Sequence, residues 1–86
     1  MSKKTNPKST ESERDPRTIK VAEKIRKLRK EKGYTSHETF AWDHDLPRVQ
    51  YWRMESGQNF RFESLLKILD ALEISLQDFF STIDDE

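Results

Sequence analysis

An all-α domain of five short helices is the fold this sequence predicts, and three observations carry that prediction. Apolar residues recur at three- and four-residue spacing from Ile19 onward. Short polar residues, prolines and glycines fall where those periodic stretches begin and stop. No β-hairpin signal and no internal repeat is present.

Taken in order, residues 1–14 hold no apolar side chain after Met1 and are rich in Ser, Thr and charge. Nothing there offsets the entropy of ordering, so a disordered basic, polar arm is expected. Asp15-Pro16 pairs a short acceptor with a proline suited to a first helical turn. From there Ile19, Ala22, Ile25 and Leu28 form an apolar stripe, with Lys20, Lys24, Lys27 and Lys30 expected on the opposite side. Gly33 is the expected left-handed stop. Thr35 or Ser36 caps the second helix, helped by Glu38, and Phe40, Ala41 and Trp42 are its apolar positions. Asp43-His44-Asp45 makes a polar corner pinned by Leu46. A third helix is expected over residues 47–55, with Tyr51 and Met54 inward, closed by the turn at residues 56–59. The fourth runs from about Phe62 with Leu65, Ile68, Leu69 and Leu72 as its stripe. A break at residues 73–75 leads to a last short helix carrying Leu76, Phe79 and Phe80. The domain is thus expected over residues 15–81, with an acidic tail over residues 82–86.

Eighty-six residues with one third apolar content allow a single modest core. Cysteine is absent, which excludes disulfides and thiolate chemistry. No apolar run is long enough to span a bilayer and the polar start is not a signal peptide, so a soluble cytoplasmic protein without membrane contact is expected. Formal net charge is zero, but its distribution is not even. Residues 1–32 hold twelve Lys and Arg against five acids, and residues 33–86 hold four against eleven. Such asymmetry points to a polyanion on one side, or to a solvated basic helix.

Residues 33–57 read as two short helices joined by a tight corner, the layout of a helix-turn-helix DNA reader. Base reading needs long side chains that make paired hydrogen bonds on the floor of the major groove; arginine does so with guanine and glutamine with adenine. The third helix offers Arg48, Val49, Gln50 and Arg53, with Val49 suited to a thymine methyl. Trp52 is expected at the rim or against a neighbouring helix. Asp43 and Asp45 repel nearby phosphates unless they cap the third helix from inside.

The order of Ile25-Arg26-Lys27-Leu28-Arg29, Gly33, Phe40-Ala41, Arg48 to Met54, Glu55-Ser56-Gly57 and the stretch from Leu65 to Phe80 resembles the phage-repressor-like helix-turn-helix family (XRE or Cro type), over about residues 21–80. The resemblance implies a five-helix lambda-repressor-like domain that binds double-stranded DNA as a homodimer, on half-sites about one helical turn apart. It places Arg48 and Val49 deepest in the groove. It implies phosphate contacts at Ser36, His37, Asn59 and Arg61, and a structural ion pair between Arg29 and Glu55 that locks the first helix to the reader. Phe79, Phe80 and Ile83 are the candidate dimer interface. One departure stands out: the family corner commonly has a glycine, absent here, so that Asp45 or His44 must adopt the left-handed conformation.

The aspartates around His44 do not make a metal site, because consecutive corner residues cannot converge and no fourth ligand is evident. With no cysteine, two distant histidines and no nucleophile beside a base, no enzyme and no cofactor is expected. The sequence therefore reads as a bacterial, phage or mobile-element transcriptional regulator, a repressor in its simplest form. The alternative is an antitoxin-type module that also binds a cognate toxin protein and autoregulates its operon.

Overall fold

The computed structural model describes residues 15–83. The arm over residues 1–14, with Lys3, Lys4 and Lys8, and residues 84–86 of the acidic tail lie outside the described residues. Five helices form among those described: α1 (Pro16–Glu31), α2 (His37–Asp43), α3 (Arg48–Glu55), α4 (Phe62–Leu72) and α5 (Leu76–Ser81).

Four of the five helices begin where the sequence supplies an acceptor or a preset φ; α4, with Arg61 as its N-cap, has neither. The Asp15 carboxylate accepts from the Arg17 amide at 2.8 Å, and Pro16 occupies the first turn. The Arg17 guanidinium folds back on the same carboxylate and holds it at about 2, well below the usual carboxylate range. Ser36 Oγ caps α2 by accepting from the amides of Glu38 and Thr39, and Ser75 Oγ caps α5 by accepting from Asp78. Neither Asp43 nor Asp45 caps α3, which begins at Arg48 with Pro47 as its N-cap and no side-chain cap bond. Asp43 instead accepts from the Tyr34 hydroxyl at 2.9 Å.

The first four helices all end in the same way. After α1, the Gly33 amide reaches back to the Lys30 carbonyl and the Tyr34 amide to Arg29. The same pair of bonds recurs at Asp45 and Leu46 after α2, at Gly57 and Gln58 after α3, and at Glu73 and Ile74 after α4. This Schellman closure needs a left-handed residue. Gly33 and Gly57 supply it without strain, whereas Asp45 (φ 57°) and Glu73 (φ 61°) do so with a Cβ in place. Asp45, rather than His44, thus takes the role of the missing corner glycine. Asp45→Gly and Glu73→Gly should each stabilise the fold by about 1 kcal/mol, Glu73 by more because Asp tolerates this conformation better. Melting temperatures should rise by roughly 4–8 °C per kcal/mol; unchanged or lower values would refute the strain argument. Loss of the exposed Lys32–Glu73 ion pair (3.1 Å) offsets little.

The core is the convergence of Ile25, Phe40, Tyr51, Met54, Leu65, Ile68 and Phe79 with their neighbours. Phe40 sits at the α2–α3 contact, its ring 5.3 Å from Tyr51 and 5.2 Å edge-on to Tyr34. α2 and α3 pack on each other and on α1, while α4 packs against α5.

Four expectations change in three dimensions. Trp42 is 85% exposed, because Phe40 and Ala41 already define the inner side of α2. Ile19, in the first turn of α1, is also exposed. Lys24 is buried rather than outward; its Nζ donates to Thr82 Oγ1 at 2.6 Å and ties α1 to the end of α5. Phe79 is completely buried in the core and is unavailable to a dimer partner, whereas its neighbour Phe80 faces outward.

Candidate nucleic-acid interface

α3 has two chemically distinct sides. Tyr51, Met54 and Glu55 are buried, while Arg48, Val49, Gln50, Trp52 and Arg53 are exposed. At 100° per residue the buried set spans one side of the helix and centres the opposite side on Val49 and Arg53. Arg48 and Trp52 flank that centre on one side, and Gln50 flanks it on the other. Val49 is 58% exposed, an apolar side chain that the core does not use.

The inner side is fixed by a buried network around Glu55. Arg29 Nε donates to Glu55 Oε2 at 2.7 Å and Nη2 donates to Oε1 at 3.1 Å, a two-pronged pair with both side chains under one tenth exposed. The Tyr51 hydroxyl donates a short bond to Oε2. Arg29 Nη1 also reaches the Tyr34 carbonyl at 2.9 Å, and Arg26 Nη2 reaches the Glu55 carbonyl at 3.2 Å. The Arg29–Glu55 pair therefore joins α1, the loop after it and α3. A buried ion pair of this kind fixes geometry more than it adds net stability, since desolvation offsets much of the Coulomb gain. Tyr51 was readable only as a core residue; its spacing of four from Glu55 was the available signal for this second role.

Burial, reinforced by the bond to Glu55, pushes the Tyr51 hydroxyl far above its ordinary value of 10.0. The folded-state value is raised, so the contribution to stability is intact below about pH 10 and lost as pH climbs beyond it, because the unfolded chain ionises first. Denaturant midpoints should hold up to about pH 10 and fall progressively above it, and Tyr51→Phe should flatten much of that decline. Tyr34, whose hydroxyl is raised by donation to Asp43, adds a smaller slope of the same sign. An equally steep alkaline limb in Tyr51→Phe would place the titration elsewhere.

The outer side of α3 lies between two grooves. On one side Gln50 and Arg53 share a groove with Asn59, Phe60, Arg61 and Ser64. On the other, Arg48 lines a groove with Glu38, Thr39, Trp42 and Leu46. The structure thus brings Gln50, Arg53, Asn59 and Arg61 together; Ser36 and His37 line neither groove and stand at the start of α2, where Ser36 Oγ is engaged as the cap. Glu38, not anticipated as a partner, places Oε2 3.9 Å from Arg48 Nη1. Both groups are more than half exposed, so this pair is weak and Arg48 can exchange it for another acceptor.

Comparison with known proteins agrees with this geometry. A family model for the Cro/C1-type HTH DNA-binding domain matches residues 24–85. The chain is 42% identical over 69 residues to control protein C.MunI from a Mycoplasma species, covering 79% of this chain and 93% of that protein. It is also similar to crystal structures of two variants of the restriction-modification controller protein C.Esp1396I. The tyrosine-to-phenylalanine variant superposes with a TM-score of 0.74 at 30% identity, covering 85% of this chain and 92% of the other. The threonine-to-alanine variant gives 0.68 at 32% identity, with coverage of 79% and 91%. An exposed second helix of a two-helix corner, locked from behind by a buried ion pair and set on this scaffold, identifies the chain as a member of the Cro/C1-type helix-turn-helix family of DNA-binding transcriptional regulators.

Proposed function

We propose that this protein controls transcription of restriction-modification genes by reading duplex DNA through the major groove with α3; the reading is supported by its likeness to C.MunI, named a control protein, and to C.Esp1396I, named a restriction-modification controller protein. The observation that carries the reading is the division of α3 into a fixed inner side and an outer side where Arg48, Val49, Gln50 and Arg53 are exposed and suited to base edges. Asn59 and Arg61 meet phosphates beside Gln50 and Arg53, and Ser36 and His37 do so through the start of α2. As a repressor the protein acts by occupying the duplex that polymerase needs.

The functional unit is a homodimer. Phe80 and Leu76, four residues apart on α5 and each more than one third exposed, form with half-buried Ile83 the apolar patch a second copy covers. Selecting bound sequences from a random duplex pool tests the whole reading. The expected product is a two-fold symmetric site with half-sites about one helical turn apart. Failure to enrich any sequence would refute sequence-specific reading, and a single asymmetric site would refute the dimer.

A further inference from the structure

Residues 33–86 carry eleven acids and only four Lys or Arg cations: Arg48, Arg53, Arg61 and Lys67. Every one of the four lines a groove beside α3. Arg48 stands on the α2 side, Arg53 and Arg61 on the α4 side, and Arg61 recurs with Lys67 around the trough between α3 and α4. An acidic half-chain that gathers all its cations next to one helix creates a local field opposite to its net charge.

The trough itself is floored by Leu46, Tyr51, Met54 and Ile68, with Arg61, Glu63, Ser64 and Lys67 on its border. At about 170 Å³ it is smaller than the roughly 300 Å³ at which small-molecule sites begin, so its interior does not suit an effector. Its border is more informative. Arg61, Ser64 and Lys67 follow one another at intervals of three, a single ridge starting at the N-cap of α4. Lys67 is exposed, and among the described residues it has no hydrogen-bond or ion-pair partner. Glu63, four residues before Lys67 and lining the same trough, belongs to the first turn of α4, where a carboxylate complements the helix dipole, and it forms no ion pair with Lys67.

We propose that Lys67 is a further DNA phosphate contact, so that the duplex backbone crossing the loop at residues 58–61 continues along the Arg61–Ser64–Lys67 ridge of α4. The contact rests on the DNA-reading role of α3 proposed above and adds one neutralised phosphate to it. It positions the protein without carrying sequence information.

The test titrates binding against salt for the wild type, Lys67→Gln, Lys67→Arg and a charge-matched control, Lys30→Gln, on the exposed side of α1. The probes are a duplex recovered by the selection above and an unrelated duplex of equal length. Lys67→Gln should lower the log–log salt slope by about 0.9, which means about 3.5-fold less loss of affinity than the wild type between roughly 50 and 200 mM salt. Both duplexes should weaken in the same proportion, and Lys67→Arg should restore the slope. The proposal is overturned if the Lys67→Gln slope equals the wild type's, or if Lys30→Gln lowers it equally, which would reveal a general charge effect. Wild-type protein that binds neither duplex at low salt would instead defeat the DNA-reading role itself, a result visible before any variant is made.

Discussion

Arg29→Ala is expected to destabilise the protein by about 3–5 kcal/mol. The substitution leaves the Glu55 carboxylate buried with only the Tyr51 hydroxyl as a side-chain partner, and strips the Tyr34 carbonyl of a donor. Small domains have roughly 5–15 kcal/mol in total, so the variant should be partly unfolded at physiological temperature. Urea titration would show a lower midpoint with an unchanged slope. Arg29→Lys should fall between the two, because an ammonium cannot reproduce the two-pronged contact. DNA binding should fail in proportion to the unfolded fraction and return when an osmolyte restores folding. A loss of stability within about 0.5 kcal/mol would mean that Glu55 finds other solvation and that the pair does not hold α3.

Arg53→Ala should do the reverse: leave stability near wild type and weaken operator binding by about 1–3 kcal/mol, or roughly 5- to 150-fold. Arg53 lies at the centre of the outer side of α3 and is exposed, so little packing is lost. Selection repeated with the variant should relax preference at one base position per half-site. Uniform weakening across all sequences would mark Arg53 as a phosphate contact instead. Arg48→Ala should act in the same direction, but its exposed ion pair with Glu38 must open first. Glu38→Gln should therefore leave binding unchanged or tighten it slightly. The opposed signatures of Arg29 and Arg53, stability without contact and contact without stability, separate the inner and outer sides of one eight-residue helix.

Much of this was legible in sequence because the relevant physics is local. Asp15-Pro16 and Ser36 mark helix starts through short-range hydrogen bonds, and Gly33 marks a stop through φ. The α4 stripe follows from periodicity alone. Trp42 and the Phe79–Phe80 pair show the limit of periodicity, which says that a side chain can face inward, not whether the core has room for it or needs it. In α2 the room went to Phe40 and Ala41; in α5 the inward place went to Phe79 and left Phe80 outside. Lys24 is the complementary case, a cation drawn inward because Thr82 offers an acceptor 58 residues away in the chain.

The sequence by itself determined that five helices form, where the capped and glycine-stopped ones begin and end, and which residues of α3 carry long polar side chains. These follow from interactions within about four residues, which composition and spacing encode directly. Only the tertiary structure decided which groups meet across the domain. It closed the corner through Asp45, drew Tyr51 and Arg26 into the Glu55 network, set Glu38 against Arg48, and gathered Arg53, Arg61 and Lys67 beside one helix. Those pairings depend on how helices pack, and packing is settled by the whole core at once rather than by any one segment.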